Sequence, residues 1–188
     1  MQRRTYLALS AGVAGAAAGC MSASGETSLL PNEDIDDSGG TLRFSEDGED
    51  VFTVRLQHQF TDPDEHEYYP FRVSTWQADD LTLDSWRLQF RSPPQASAYS
   101  RAGIYLREDA HAHLATLSQD GEDPSITVLD LPETSSIGEG TVTVRLLLAA
   151  DPSQDPHELW MHVEAVLEGN GLLDGSYTAD GHITIPFT

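Results

Sequence analysis

The 188-residue chain carries 31 acidic side chains against 10 basic ones, all of them arginine, for a formal net charge of −21. Without lysine it cannot build a phosphate-binding P-loop, a Ser-x-x-Lys acyl-transfer site, a protein kinase or a Schiff-base enzyme, and it offers no basic patch to neutralise nucleic-acid phosphates. Its single cysteine, Cys20, allows no internal disulfide and no Cys-x-x-Cys-His haem attachment. Once that thiol is acylated, no thiolate is left for blue copper, an iron–sulfur cluster or a cysteine nucleophile.

In chain order, Arg3-Arg4-Thr5-Tyr6-Leu7 opens an Ala- and Gly-rich apolar run that ends in Ala17-Ala18-Gly19-Cys20. The arginine pair resembles a twin-arginine export signal, and the small residues before the cysteine resemble a lipobox, in which the cysteine is acylated and becomes the new N-terminus. Gln2, Tyr6 and Ala17 depart mildly from the usual residues at their positions. The apolar run is short of the roughly 20 residues a spanning helix needs, and Gly12, Gly15 and Gly19 weaken it further. Residues 1–20 therefore predict export followed by lipid attachment at Cys20. Each buried acyl methylene contributes about 0.8 kcal/mol to membrane binding, so two chains hold the protein without a spanning helix.

Residues 21–40 are small, polar and acidic with no apolar period, which predicts a disordered tether. From Thr41 the pattern changes to period two, the mark of strands with one buried and one wet face. Phe52, Val54, Leu56, His58 and Phe60 share a face, with Thr53, Arg55, Gln57 and Gln59 on the other. The alternation recurs at Phe71–Thr75, at Trp86, Leu88 and Phe90, at Ile104 and Leu106, and at Ile126 and Val128. It is longest towards the end, at Val142–Leu148, Leu159–Leu167 and Ile183–Phe187. Asp62-Pro63, Pro93-Pro94, Asp120-Gly121, Asp151-Pro152 and Gly169-Asn170-Gly171 supply turns between these runs. The expected fold is all-β: one antiparallel β-sandwich of immunoglobulin-like architecture over residues 41–188, with mixed folds as the alternative.

Acidity throughout the chain, absence of lysine, the residue 1–20 signal and stretches such as Phe71-Arg72-Val73-Ser74-Thr75-Trp76 together resemble the twin-arginine-exported surface lipoproteins of haloarchaea. That resemblance implies a habitat and a cell-surface location, not an activity, and transfers no functional residue. Loss of Arg3 and Arg4 with the signal would move the net charge from −21 to −23. Self-repulsion of that size is screened in molar salt, where the Debye length is about 3 Å.

Three clusters carry residues suited to ion binding. His111-Ala112-His113, if extended, places two imidazoles on one face, a spacing that suits a divalent transition metal but supplies only two ligands. Asp62-Pro63-Asp64-Glu65-His66-Glu67 is dense in carboxylates but lacks the spacing of a calcium loop. Asp120-Gly121-Glu122-Asp123-Pro124 reads as a hairpin loop. Arg55, Arg72, Arg87, Arg91 and Arg145 recur on the wet faces, where they balance a carboxylate surface or form ladders with acids. Tyr68, Tyr69, Trp76, Trp86, Tyr99, Tyr105 and Trp160 are expected mainly in the core.

No Gly-x-Ser-x-Gly elbow or other catalytic constellation is present. The sequence thus points to a non-catalytic module on the outer face of the cytoplasmic membrane, anchored through Cys20, with a surface protein or glycan as partner and no cofactor. The alternative is a small hydrolase or metal-dependent enzyme whose site gathers scattered His and Asp/Glu residues. Replacing the anchor residue, Cys20→Ser, should move the protein from the membrane fraction into the medium; retention in the membrane would mean that the apolar run itself is the anchor.

Overall fold

Alternate residues from each period-two run must leave water together, and two sheets laid face to face accomplish this. The computed structural model describes residues 26–58, 68–91, 103–107, 112–132, 134, 141–149, 158–169 and 175–186. In these, eleven strands run β1 (Glu26–Asp36), β2 (Gly39–Glu46), β3 (Glu49–His58), β4 (Tyr68–Gln77), β5 (Leu81–Arg91), β6 (Gly103–Leu106), β7 (Thr116–Gln119), β8 (Ile126–Leu131), β9 (Thr143–Ala149), β10 (Glu158–Gly169) and β11 (Ser176–Pro186). A 3-10 turn spans Ala112–Leu114.

The hydrogen-bonded order is β6-β9-β4-β3-β2-β1-β11-β10-β5-β8-β7. It closes into two sheets because β1 belongs to both. Residues Glu26 to Leu29 pair parallel with β11, and Leu30 to Asp36 pair antiparallel with β2. Across the gap Phe71 of β4 meets Phe90 of β5 edge to face, ring centroids 5.7 Å apart. Leu42, Phe44, Val54, Leu56, Val144, Leu146 and Leu148 of the first sheet are fully buried, as are Leu88, Met161, Val163, Ile183 and Ile185 of the second. This is a β-sandwich, as the alternation predicts, with one parallel pair at its seam.

The tether expectation is corrected over part of its length, since Glu26–Asp36 is a strand and β2 begins at Gly39. Periodicity misses β1 because only Leu29 in it is buried; backbone pairing to two neighbours orders the segment instead. Ahead of residue 26, the signal and Cys20 lie outside the described residues. Among the described residues no helix is long and apolar enough to cross a membrane.

Turn chemistry sets the registers. Asp47 and Gly48 both have positive φ, 51° and 89°, as a two-residue type I′ hairpin between β2 and β3 requires. Asp36 Oδ1 accepts from the Ser38 backbone N–H at 2.7 Å in the turn that starts β2. Gly39 follows at φ 147°, and a Cβ there would stand 2.0 Å from the Leu56 carbonyl oxygen. Where β2 faces β11, a Cβ on Gly40 would come within 2.6 Å of the Ile183 Cδ1.

Gly39→Ala should therefore destabilise the domain by about 2 kcal/mol or more, read as a drop in the thermal midpoint in molar salt. Gly121→Ala, with nothing near its added Cβ, should leave that midpoint within a degree or two, and equal effects from both would contradict the steric account.

Candidate functional site

The outward face of the first sheet carries one row of side chains across four strands: Gly39 opposes Gln57, Gln57 opposes Arg72, and Arg72 opposes Arg145. Two guanidinium groups directly opposite one another cost stability rather than add to it. Arg107, just past β6, joins them, because its N–H donates to the Arg145 carbonyl at 2.9 Å. The three arginines line a pocket of about 350 Å³ with Ser38, Gln57, His58, Pro70, Phe71 and Leu146. Arg72 Nε donates to Gln57 Oε1 at 2.7 Å, which fixes the guanidinium plane.

On the outward face of the second sheet the chemistry is different. Arg91 opposes Trp160, Gln89 opposes His162, and Arg87 opposes Glu164; across the next ladder His162 opposes His182 and Glu164 opposes Asp180. Trp160 stacks on His162 with centroids 5.8 Å apart, and the Arg91 guanidinium lies 5.3 Å above the Trp160 ring. His162 Nε2 is 3.0 Å from Asp180 Oδ1. Donor atoms of His162, Glu164 and Asp180 all lie within 4.8 Å of one another. Arg87 spans two carboxylates, 3.6 Å from Asp130 and 3.7 Å from Glu164.

The residues singled out in the sequence fall elsewhere. Arg3, Arg4, Cys20, Asp62–Glu67 and His111 lie outside the described residues, and His113 is exposed in a 3-10 turn rather than on the extended segment that the two-imidazole reading needs. Asp120-Gly121-Glu122-Asp123-Pro124 does form the β7–β8 hairpin. There Asp120 Oδ1 accepts from the Glu122 and Asp123 backbone N–H groups at 2.7 and 2.9 Å, so local turn bonds occupy it.

The arginines divide into two sets. Arg87 pairs with acids as expected, as does Arg91 with Asp123 at 3.6 Å; Arg72 and Arg145 stand at opposite positions of β4 and β9. Of the aromatic residues Trp86 is a core residue, but Trp76 and Tyr105 are about half exposed, at 48% and 44%, and Trp160 points outward. His162-Val163-Glu164 and Asp180-Gly181-His182 were missed, although both place ligand-type residues at alternate positions of a strand.

Taken together, these features define a β-sandwich with two chemically distinct outer faces, one holding an arginine-lined pocket. The chain belongs to the family described as a domain of unknown function, DUF8121, whose model matches residues 26–188. That match begins at the first residue of β1. No curated protein matches the sequence.

Among solved structures the chain is similar to the human F-spondin reeler domain (11% identity, TM-score 0.39, covering 76% of this chain and 92% of that one). It is also similar to the seventh ScaB type I cohesin from Pseudobacteroides cellulosolvens (10% identity, TM-score 0.35, 64% and 84% covered). A third is BcpA, the major pilin subunit of Bacillus cereus (8% identity, TM-score 0.36, 85% and 48% covered).

One pocket residue titrates off its ordinary value. Burial holds the His58 imidazole below 6.5, with the Asp36 carboxylate partly opposing. The folded state then takes up this proton less readily than the unfolded chain, so His58's contribution is complete above 6.5 and is lost as pH falls through the lowered value. Asp36, held low by the Ser38 hydroxyl and N–H, and Asp120 and Asp123, held low by bonds from Asp123 and Ser125 respectively, keep their contributions until pH falls below 3.8. Thermal midpoints of His58→Gln should fall less than those of the unaltered protein just below pH 6.5, with the same loss in strong acid. An unchanged slope in that window would show that His58 is not its source.

Proposed function

We propose that this domain is a lipid-anchored, extracytoplasmic binding module of a halophile, which captures an anionic group through Arg72, Arg107 and Arg145. The observation that supports this reading is their convergence on one pocket of about 350 Å³ in a chain with only 10 arginines and a net charge of −21. Balance of surface charge alone would spread scarce cations among the carboxylates, as Arg43, Arg87 and Arg91 are spread. Arg72 and Arg145 instead occupy directly opposite positions of one strand pair, with Arg107 beside them. A guanidinium presents parallel N–H donors matched to a carboxylate or sulfate, and Gln57 and Ser38 add neutral polar groups for specificity.

The surrounding acidity acts as a filter. A free anion meets repulsion at long range in dilute salt, whereas in molar salt that field is screened to about 3 Å and only the pocket is felt. The matching ligand is an acidic glycan or an acidic protein segment at the cell surface. Attachment at Cys20 would hold the pocket close to such partners.

Sulfate and citrate, titrated separately at constant ionic strength, are suitable probes. The side-chain Nε–Hε resonances of Arg72, Arg107 and Arg145 should move saturably with at least one of them, and Arg145→Gln should weaken that binding about tenfold, the loss of roughly 1.4 kcal/mol expected for a charge-assisted hydrogen bond. Shifts that never saturate, shifts matched by Arg87 and Arg91 on the other face, or no shift at any concentration would each overturn the reading.

A further inference from the structure

The second sheet carries a feature that the anion pocket does not use. β10 presents His162 and Glu164 outward at alternate positions, and β11 presents Asp180 and His182. Antiparallel register sets the two histidines directly opposite and the two carboxylates directly opposite. The result is a square of four ligand-type side chains on two neighbouring strands. We infer that this square is a binding site for a divalent transition metal of the Zn²⁺ class.

Distance supports the inference first. Metal–ligand bonds of about 2.0–2.1 Å at tetrahedral angles separate ligand atoms by about 3.3 Å. His162 Nε2 and Asp180 Oδ1 stand 3.0 Å apart, and the Glu164 carboxylate falls with them inside 4.8 Å. One ion between these three atoms would draw them slightly together, and His182 occupies the strand position directly opposite His162.

Donor chemistry then selects the ion. Imidazole nitrogen favours zinc, copper and nickel over magnesium and calcium, which prefer all-oxygen shells. Two carboxylates would neutralise the ion's charge, and a shell of two nitrogens and two oxygens is complete without a cysteine.

Preorganisation adds to this. Trp160 stacks on His162 and lies 6.3 Å from the His182 ring, and the strands themselves are rigid, so little ordering is left for the ion to impose. Arg87, 3.7 Å from Glu164, competes for that carboxylate and makes it the weakest of the four ligands. Glu164 and Asp180 also line a shallow depression of about 710 Å³ on this face, which leaves the ion open to solvent.

The test is calorimetric titration of the full chain with Zn²⁺ in molar potassium chloride, with excess Mg²⁺ present to occupy the carboxylate surface. One Zn²⁺ should bind per chain. His162→Ala and the solvent-exposed His182→Ala should each weaken binding at least about tenfold, and Glu164→Gln less. Far-ultraviolet circular dichroism confirms that each variant keeps its sheet signal. The double variant His111→Ala/His113→Ala should bind as the unaltered chain does. Quenching of Trp160 fluorescence by Cu²⁺, absent in Trp160→Phe, should follow the same occupancy.

Zn²⁺ that Mg²⁺ displaces, affinity indifferent to both His162→Ala and His182→Ala, or loss of binding in the His111/His113 double variant would each overturn the site. None of these outcomes bears on anion binding by Arg72, Arg107 and Arg145, which lie on the other sheet.

Discussion

Everything in this domain depends on shutting one face of strands β2 to β5 and β9 to β11 against the facing sheet without a covalent staple. Phe71 on Phe90, and Gly40 beneath Ile183, show how close that packing is. With no disulfide and no lysine, packing and screened charge are the means left to hold the fold. Apolar side chains are committed inward at alternate positions, so the outer faces inherit nearly all the charge. Both candidate sites are therefore outer-face features, and both come from the rows that the core leaves over.

Scarcity of cations gives their positions meaning. Exposed ion pairs such as Arg43 with Asp34, at 3.0 Å, contribute little individually, and in so acidic a chain any arginine finds a partner. Arg72 and Arg145 stand at directly opposite positions of one strand pair, and Arg107 joins them at one pocket. His162 and His182, two of the 7 histidines in the chain, likewise meet across one register.

Much of the fold was legible in the sequence and little of either site was. Phe52, Val54 and Leu56, or Met161, Val163 and Ala165, announce strands because burial repeats every second residue. Glu26–Asp36 is silent because a strand at the seam with one buried side chain has no period to display. The arginine pocket needs β4 beside β9, strands more than sixty positions apart and not consecutive, and no local pattern encodes that neighbour. His162 and His182 lie on consecutive strands, yet their meeting depends on where the connection between them sets the register. The attention that His111-Ala112-His113 drew in the sequence shows the converse: adjacency along the chain is visible, whereas adjacency across a ladder is not.

β1 carries a mechanical consequence. The ladders of β1 to β11 and to β2 lie across the strand's own axis. A load applied from the N-terminal side is then shared by many hydrogen bonds in shear instead of opening them one at a time. A strand stitched into both sheets also spreads that load over the two halves of the sandwich. The seam that looks weakest by hydrophobic content is thus well arranged to bear tension along β1.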